Sequence, residues 1–267
     1  MKTMYIKIVT VALLLIASYA SYAQTLINDL YYEFDSQTSE ATVVLNGNET
    51  ASSINIPEEI THNEKTYKVT KIGREAFRLN EDLTSISIPN TVKYIGTLAF
   101  ENCSKLTKIA LPSGITRIEE GTFQNCVALK SLTIPQGVKT ISHYAFYYCQ
   151  GLESVVFPSS INFISPKSFT GCPALKSITV SSPTPIAIYK NTFTVFGNLY
   201  VPKGSKEIYE KAAIWQDFNI IEEGEATGIS TLNANHSPQN IYSLSGTHLY
   251  APRKGVNIIN GKKVVIK

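Results

Sequence analysis

Cysteine is the residue type in this chain with the most obvious capacity for chemistry. Its four copies, Cys103, Cys126, Cys149 and Cys172, are each 23 residues apart. Two cysteines that frame a segment can close a disulfide loop, supply half of a metal site, or mark the seam of a repeat. Which of these holds depends on the elements that carry the cysteines, because a disulfide and a tetrahedral zinc site each impose their own geometry.

The other reactive residues give little support for catalysis. The four histidines are scattered, and none lies in a His-Glu-x-x-His sequence. The chain also has no Gly-x-Ser-x-Gly turn, no Walker loop and no dinucleotide-binding fingerprint. Glu119 and Glu120 are neighbours in one loop, which is typical of solvated carboxylates. We therefore expect no enzymatic activity, no cofactor and no metal centre.

The interval of the cysteines belongs to a repeat that occupies the middle of the chain. Phenylalanines and leucines keep it too: Phe77, Phe100, Phe123, Phe146 and Phe169, and Leu83, Leu106, Leu129, Leu152 and Leu175. Each unit predicts a short strand. In the unit that begins at Leu83, the alternation of Leu83, Ile86 and Ile88 with small polar residues predicts this strand, and Pro89 ends it. About six apolar side chains per unit cannot close a core alone. The sequence therefore predicts a solenoid of stacked coils with parallel strands.

The repeat unit resembles the leucine-rich repeat, and within it the BspA-like (Treponema-type) class. The likeness rests on the spacing Leu-x-x-Ile-x-Ile-Pro, the segment from Ile95 to Phe100, and a cysteine three residues before the next leucine. It covers about residues 52–222. The resemblance implies a leucine-rich repeat solenoid with 23-residue coils, and a surface protein such as occurs in Bacteroidetes, spirochaetes and some protists.

The geometry of stacked coils distinguishes the three possible roles of the cysteines, which are a disulfide, a metal site and the seam of a repeat. In the first coil the matching position holds Asn80, so sulfur is not required there. Stacked Cβ atoms would lie about 4.8 Å apart, whereas a disulfide favours about 3.8 Å, and a straight ladder does not converge on a metal. We expect a structural ladder of buried side chains with free thiols: Asn80, Cys103, Cys126, Cys149 and Cys172.

Segments on both sides of the repeat predict caps. Residues 24–73 alternate apolar and polar residues between turns, which predicts an N-terminal cap with hairpins, one of them with Asn63 and Glu64 at its tip. Residues 74–181 carry the repeat coils. Residues 182–223 predict a C-terminal cap built as strand, helix and strand, with the helix from about Ser205 to Trp215. A terminal unit needs a polar outer face, and this helix supplies one.

The end of the chain predicts a separate module. Residues 224–230 form a linker, and residues 231–267 alternate like strands with a strong hairpin turn at Asn260 and Gly261. All 21 acidic residues precede residue 226, whereas five basic residues follow it. This small β module resembles the sorting domains of type IX secretion, which implies a role in sorting. A basic module could instead contact an anionic surface.

The first 23 residues have the features of a secretory signal peptide. Two lysines precede an apolar run, and small residues lead to a cleavage site between Ala23 and Gln24. The run is too short for a comfortable membrane span. We expect the mature chain to have no membrane span and to be secreted or displayed on the cell surface, at the outer-membrane exterior.

Two surfaces of the predicted solenoid are candidates for recognition, because stacked coils present continuous faces. The outward strand positions carry Ser85, Lys108 and Ser131, although any exposed sheet tolerates such small polar residues. A second patch combines aromatic residues with arginine, which is typical of recognition hot spots. Its members are Tyr94, Arg117, Tyr144, Tyr147, Tyr148 and Phe163. Some of these rings could simply cover the edges of the coils.

The sequence favours a binding protein. The first hypothesis, which follows from the resemblance, is an adhesin-like protein that recognises another protein on host or neighbouring cells through the solenoid surface. The alternative is a module that captures glycans or nutrients, or a scaffold for surface assembly. No nucleic-acid partner is expected. The sequence names no ligand.

Overall fold

The computed structural model describes residues 24–47 and 50–223, together with the backbone of four strands between residues 241 and 266. The predicted signal peptide and the linker at 224–230 lie outside the described residues. The chain divides into two compact units, Met1–Gly224 and Glu225–Lys267. The first unit carries the solenoid.

A six-stranded sheet covers the N-terminal end of the solenoid. Its strands are β1 (Thr25–Ile27), β2 (Leu30–Asp35), β3 (Glu40–Asn46), β5 (Glu59–His62), β6 (Lys65–Ile72) and β8 (Tyr94–Ile95). β1, β2 and β3 pair antiparallel, and β3 then pairs in parallel with β6. β5 and β6 form an antiparallel hairpin, with Asn63 and Glu64 in left-handed conformations between them. β6 also pairs in parallel with β8, which joins the cap to the coils.

Short parallel strands, one per coil, form the strand face of a solenoid of about seven turns. They are β4 (Ser53–Asn55), β7 (Ser85–Ser87), β10 (Ser131–Thr133), β12 (Ser154–Phe157), β14 (Ser177–Val180), β15 (Asn198–Val201) and β16 (Asn219–Glu222). Ser131 lies opposite Ser154, and Ser154 opposite Ser177, so the pairing register equals the sequence repeat. The strand face is interrupted at residues 106–111, which have no strand assignment. The predicted leucine-rich repeat solenoid is confirmed.

A second set of two-residue strands lines another side of the coils. After β8 come β9 (Arg117–Ile118), β11 (Thr140–Ile141) and β13 (Phe163–Ile164), which pair in parallel in the order β9, β11, β13. In each of these strands the first residue is outside and the isoleucine is buried. The side chains that precede these isoleucines therefore form a row on the surface.

A column of phenylalanine rings occupies the interior. Phe77, Phe100, Phe123, Phe146, Phe169 and Phe193 stack in order, with neighbouring ring centroids 4.9–5.5 Å apart and interplanar angles of 2–18°. All six rings are at most 3% exposed. A fully buried apolar side chain contributes about 1.5–3 kcal/mol, so the column is a main source of stability for the stack.

The C-terminal cap differs in detail from the expected single helix between Ser205 and Trp215. The α-helix α1 spans only Lys206–Glu210, and a 3-10 helix follows at Trp215–Asp217. Ile214 has a positive φ of 73°, which breaks the helical path. The break turns Trp215 into the core, where its Nε1–H donates to the carbonyl oxygen of Ile186 at 2.8 Å. Burial of this indole outweighs the helical propensity of the segment.

The second unit contains a four-stranded antiparallel sheet. Its strands are β17 (Ile241–Ser243), β18 (His248–Leu249), β19 (Gly255–Ile259) and β20 (Lys262–Ile266), in the order β18, β17, β19, β20. Ile259 lies opposite Lys262 across β19 and β20. The predicted turn at Asn260 and Gly261 lies outside the described residues. Among the residues that are described, no helix is long and apolar enough to cross a membrane.

Candidate recognition surface

The cysteine ladder is held by one hydrogen bond that recurs at each of the four cysteines. Each Sγ–H donates to the carbonyl oxygen of the phenylalanine 26 residues earlier, at 3.1–3.2 Å. For Cys126 the acceptor is the Phe100 oxygen, which also accepts the backbone N–H of Cys103. All four cysteines are free and fully buried. The thiols therefore tie each coil to the one before it.

Burial keeps these thiols protonated. It raises the pKa of Cys103 and of Cys172 to about 12, and raises the pKa of Cys126 and Cys149 well above the usual value. The thiolate is the form that attacks electrophiles and binds metals, and it is suppressed here. Within the described part of the chain, no group of three or more His, Cys, Asp or Glu side chains could hold a metal ion. The geometry supports a structural role for the ladder.

Asn80 occupies the first position of the same ladder. It is 2% exposed, and within the described structure neither Nδ2 nor Oδ1 has a hydrogen-bond partner. A buried amide without partners costs about 1–3 kcal/mol. The ladder is therefore least favourable at its N-terminal end, where the amide replaces a thiol.

The strand face carries the predicted residues Ser85, Lys108 and Ser131. Lys108 and Ser131 are exposed and Ser85 is half-buried. Ser85 Oγ donates to Ser53 Oγ at 3.2 Å, so part of this hydroxyl ladder is satisfied internally. Lys108 lies in the interrupted coil at 106–111, away from the regular pairing. The three predicted residues share one face, but they present small groups and a single charge.

We call the outward residues of the two-residue strands the side row: Tyr94, Arg117, Thr140 and Phe163. Tyr94 is 42% exposed, Arg117 is exposed, and Phe163 is half-buried. Burial, with a smaller effect of Glu119, raises the pKa of Tyr94, and burial, opposed by Arg117, raises the pKa of Glu119. Tyr94 and Arg117 therefore both interact electrostatically with the Glu119 carboxylate.

The three tyrosines of one coil form a separate group, the tyrosine cluster: Tyr144, Tyr147 and Tyr148. Tyr147 packs edge-on against both others, with ring centroids 5.2 Å from Tyr144 and 4.5 Å from Tyr148. The Lys167 ammonium lies 5.7 Å from the centre of the Tyr144 ring. Burial and a hydrogen bond with Tyr148 raise the pKa of Tyr147.

The structure divides the residues that the sequence grouped into one aromatic patch. Phe163 packs edge-on against Tyr189, with ring centroids 5.8 Å apart, whereas the tyrosine cluster is joined by Lys167. Tyr189 and Lys167 were missed at the sequence level. The repeat held a signal for Lys167, which lies one interval of 23 residues after Tyr144. Tyr189 follows the last regular coil, where the interval is no longer kept.

Parallel strands stacked at the repeat interval around a buried Phe and Leu core define the class of this protein, a leucine-rich repeat solenoid. Residues 70–200 match, in six copies, the family model described as the BspA type leucine rich repeat region. The coils in this range are therefore similar to leucine-rich repeats of the BspA type. None of the curated proteins matches the chain with significance.

The chain is similar to several solved structures. The leucine-rich repeat protein of T. pallidum is 22% identical, with a TM-score of 0.55 over 68% of this chain and 87% of its own. One from Bacteroides capillosus is 27% identical, with a TM-score of 0.45 over 50% and 96%. A leucine-rich cell surface protein of Faecalibacterium prausnitzii is 19% identical, with a TM-score of 0.44 over 76% and 73%. The T. pallidum likeness supports the fold assignment.

Proposed function

We propose that this protein is an exported, adhesin-like binding protein that recognises a protein on host or neighbouring cells. The side row carries the proposal. Its members Tyr94, Arg117, Thr140 and Phe163 lie on four successive coils, and aromatic residues with arginine are the residue types enriched in binding hot spots. Neighbouring coils are about 4.8 Å apart, so the row spans about 14 Å. Rigid presentation limits the entropy lost on binding.

Export is supported by the N-terminal segment, with its proposed cleavage between Ala23 and Gln24. The free thiols fit an oxidising exterior, because buried, protonated cysteines do not enter disulfide exchange. We further propose that the C-terminal module, residues 231–267, directs sorting to the cell surface. Under this proposal the solenoid acts outside the cell and needs no cofactor.

The alternative function is capture of glycans or nutrients, or assembly of surface structures. The tyrosine cluster favours glycan capture, because exposed aromatic rings and hydroxyl groups are concentrated there. A nucleic-acid partner is disfavoured by charge. Between residues 24 and 225, 21 acidic residues outnumber 17 basic ones, and phosphate backbones require a basic surface.

The test is a binding screen of the mature chain, residues 24–267, on immobilised matrix proteins beside a glycan array. The proposal predicts saturable binding to a protein. Binding to glycans alone would establish the alternative instead. Retention on neither surface would overturn both functions. Lys203→Ala, at an exposed turn of the C-terminal cap, is the control for a general effect of surface substitution.

A further inference from the structure

Each regular coil contains two residues with left-handed backbone conformation, at φ of 57–79°. They recur at the repeat interval and form two ladders. The first is Glu75, Leu98, Gly121, Tyr144 and Lys167, and the second is Leu79, Asn102, Asn125, Tyr148 and Gly171. The conformation belongs to the turn of the coil, because it is kept while the side chains vary.

Tyrosine is a poor choice for these positions. A left-handed conformation strains residues with a Cβ atom, whereas glycine adopts it freely and asparagine tolerates it. Neighbouring coils use Gly121, Gly171, Asn102 and Asn125 at the same two positions. One coil alone places tyrosine at both. Strain of this kind marks candidate functional sites, since the turn does not require an aromatic ring.

The Tyr148 ring lies flat on the glycine of the next coil. A methyl group at Gly171 would lie 3.0, 3.1 and 3.2 Å from Cγ, Cδ1 and Cδ2 of Tyr148. Nearly equal distances to three ring atoms mean that one face of the ring covers the glycine. Tyr148 is nevertheless 42% exposed, so part of this residue is accessible to solvent. Gly171 supports an aromatic platform that any larger residue would displace.

Polar groups surround this platform. The Tyr147 ring is nearly perpendicular to the Tyr148 ring, with an interplanar angle of 78° and ring centroids 4.5 Å apart. Tyr144 packs on Tyr147, and the Lys167 ammonium lies 5.7 Å from the centre of the Tyr144 ring. The site therefore combines an exposed aromatic ring with phenolic hydroxyls and an ammonium donor.

We infer that the tyrosine cluster, with Lys167 and Gly171, binds a neutral glycan through a pyranose ring of gluco or galacto configuration. Such rings have one face of C–H groups, whose partial positive charge complements the negative face of an aromatic ring. Their hydroxyls can hydrogen-bond with the phenols and the ammonium. The cluster with Lys167 and Gly171 has five residues, whereas a stable protein interface has about 20–30 residues on each side. A small, rigid ligand fits better.

This inference is independent of protein recognition by the side row. The decisive variant is Tyr148→Asn, because asparagine occupies the same position at 102 and 125, and those two amides are hydrogen-bonded at 2.9 Å. The matched control is Leu79→Asn. This substitution relieves the strain of the same left-handed backbone conformation in the first coil, and it removes no aromatic ring. Both variants should melt at or above the wild-type temperature. Tyr148→Phe keeps the ring and should retain most of the binding.

The probe is an array of neutral gluco- and galacto-configured oligosaccharides, followed by calorimetry with a retained one. We expect Tyr148→Asn to bind about tenfold more weakly, which corresponds to about 1.4 kcal/mol, while Leu79→Asn binds as wild type. Retention of no oligosaccharide, or equal affinity of the two variants, would overturn the inference. A marked drop in melting temperature confined to Tyr148→Asn would overturn it as well, since the ring would then be structural.

A further outcome separates this inference from the proposed function. If Tyr148→Asn loses binding to a protein while its binding to glycans is unchanged, the cluster is part of the protein interface. That result would refute the glycan site. Conversely, failure of glycan binding leaves recognition by Tyr94 and Phe163 untouched. The two proposals can therefore fail separately.

Discussion

Alkaline pH should unfold this protein through its cysteine ladder. Burial raises the pKa of Cys103 and Cys172 from the ordinary value of 9.0 to about 12, and raises the pKa of Cys126 and Cys149 well above that ordinary value. The stabilisation is fully present below pH 9, because both states are then protonated. It is lost as pH rises from 9 towards 12, because only the unfolded chain ionises. At about pH 10 the loss is about 1.4 kcal/mol per thiol, or about 6 kcal/mol for the ladder.

A loss of that size rivals the stability of many domains, about 5–15 kcal/mol. The assay is urea unfolding with a reductant present, at about pH 8 and about pH 10. Tyrosines and lysines also titrate in this range, so the informative quantity is the difference between wild type and a Cys126→Ala/Cys149→Ala variant. The variant should lose about 3 kcal/mol less between the two pH values. Equal losses in both proteins would refute the reasoning.

Three further predictions test the packing and the modules. Iodoacetamide should label none of the four thiols in the folded protein and all four in urea; mass spectrometry that finds native labelling or an inter-coil disulfide would contradict this. Phe123→Ala should lower the free energy of unfolding by about 3–5 kcal/mol, because its ring stacks on two others. Tyr189→Ala removes an exposed ring and should lower the free energy of unfolding by less than about 1 kcal/mol. Deletion of residues 228–267 should leave the circular dichroism melting curve of the coils in place, and the truncated protein should accumulate in the periplasm if the module sorts. Normal export with unchanged binding would reject a role for the module.

Much of the fold could be predicted because the spacing of apolar residues and of strand-ending prolines recurs along the repeat. The interval between Phe77 and Phe100 fixes the register of the coils, and Pro89 fixes where a strand ends. The surplus residues before the first full coil form a hairpin with Asn63 and Glu64 between its strands. These features are local in sequence or repeated many times. One chain is then enough to recognise them.

The irregular features could not be predicted with the same ease. The helix in the C-terminal cap ends early because Trp215 gains a hydrogen bond to Ile186, a contact between residues far apart in sequence. The left-handed ladders had a signal in Gly121, Gly171, Asn102 and Asn125. That signal is hidden by the tyrosines, leucines and charged residues that take the same positions. The interruption of the strand face at residues 106–111 has no explanation in the sequence.

The candidate sites were only partly within reach of the sequence. Exposure of Tyr94 and Tyr148 follows from their places in the repeat. The division into a side row and a tyrosine cluster depends on which ring packs on which, as in the contact of Phe163 with Tyr189. Ring packing across coils depends on side-chain rotamers, which a repeat pattern does not specify.

Recognition of a protein partner by the side row is tested with a Tyr94→Ala/Phe163→Ala variant. Binding of wild type, the double variant and the Lys203→Ala control is measured on the matrix protein that retains the wild type, with a melting curve for each. We expect the double variant to bind at least about tenfold more weakly. Its melting temperature should stay close to that of wild type. Unchanged binding, or weaker binding accompanied by a large fall in melting temperature, would contradict the claim.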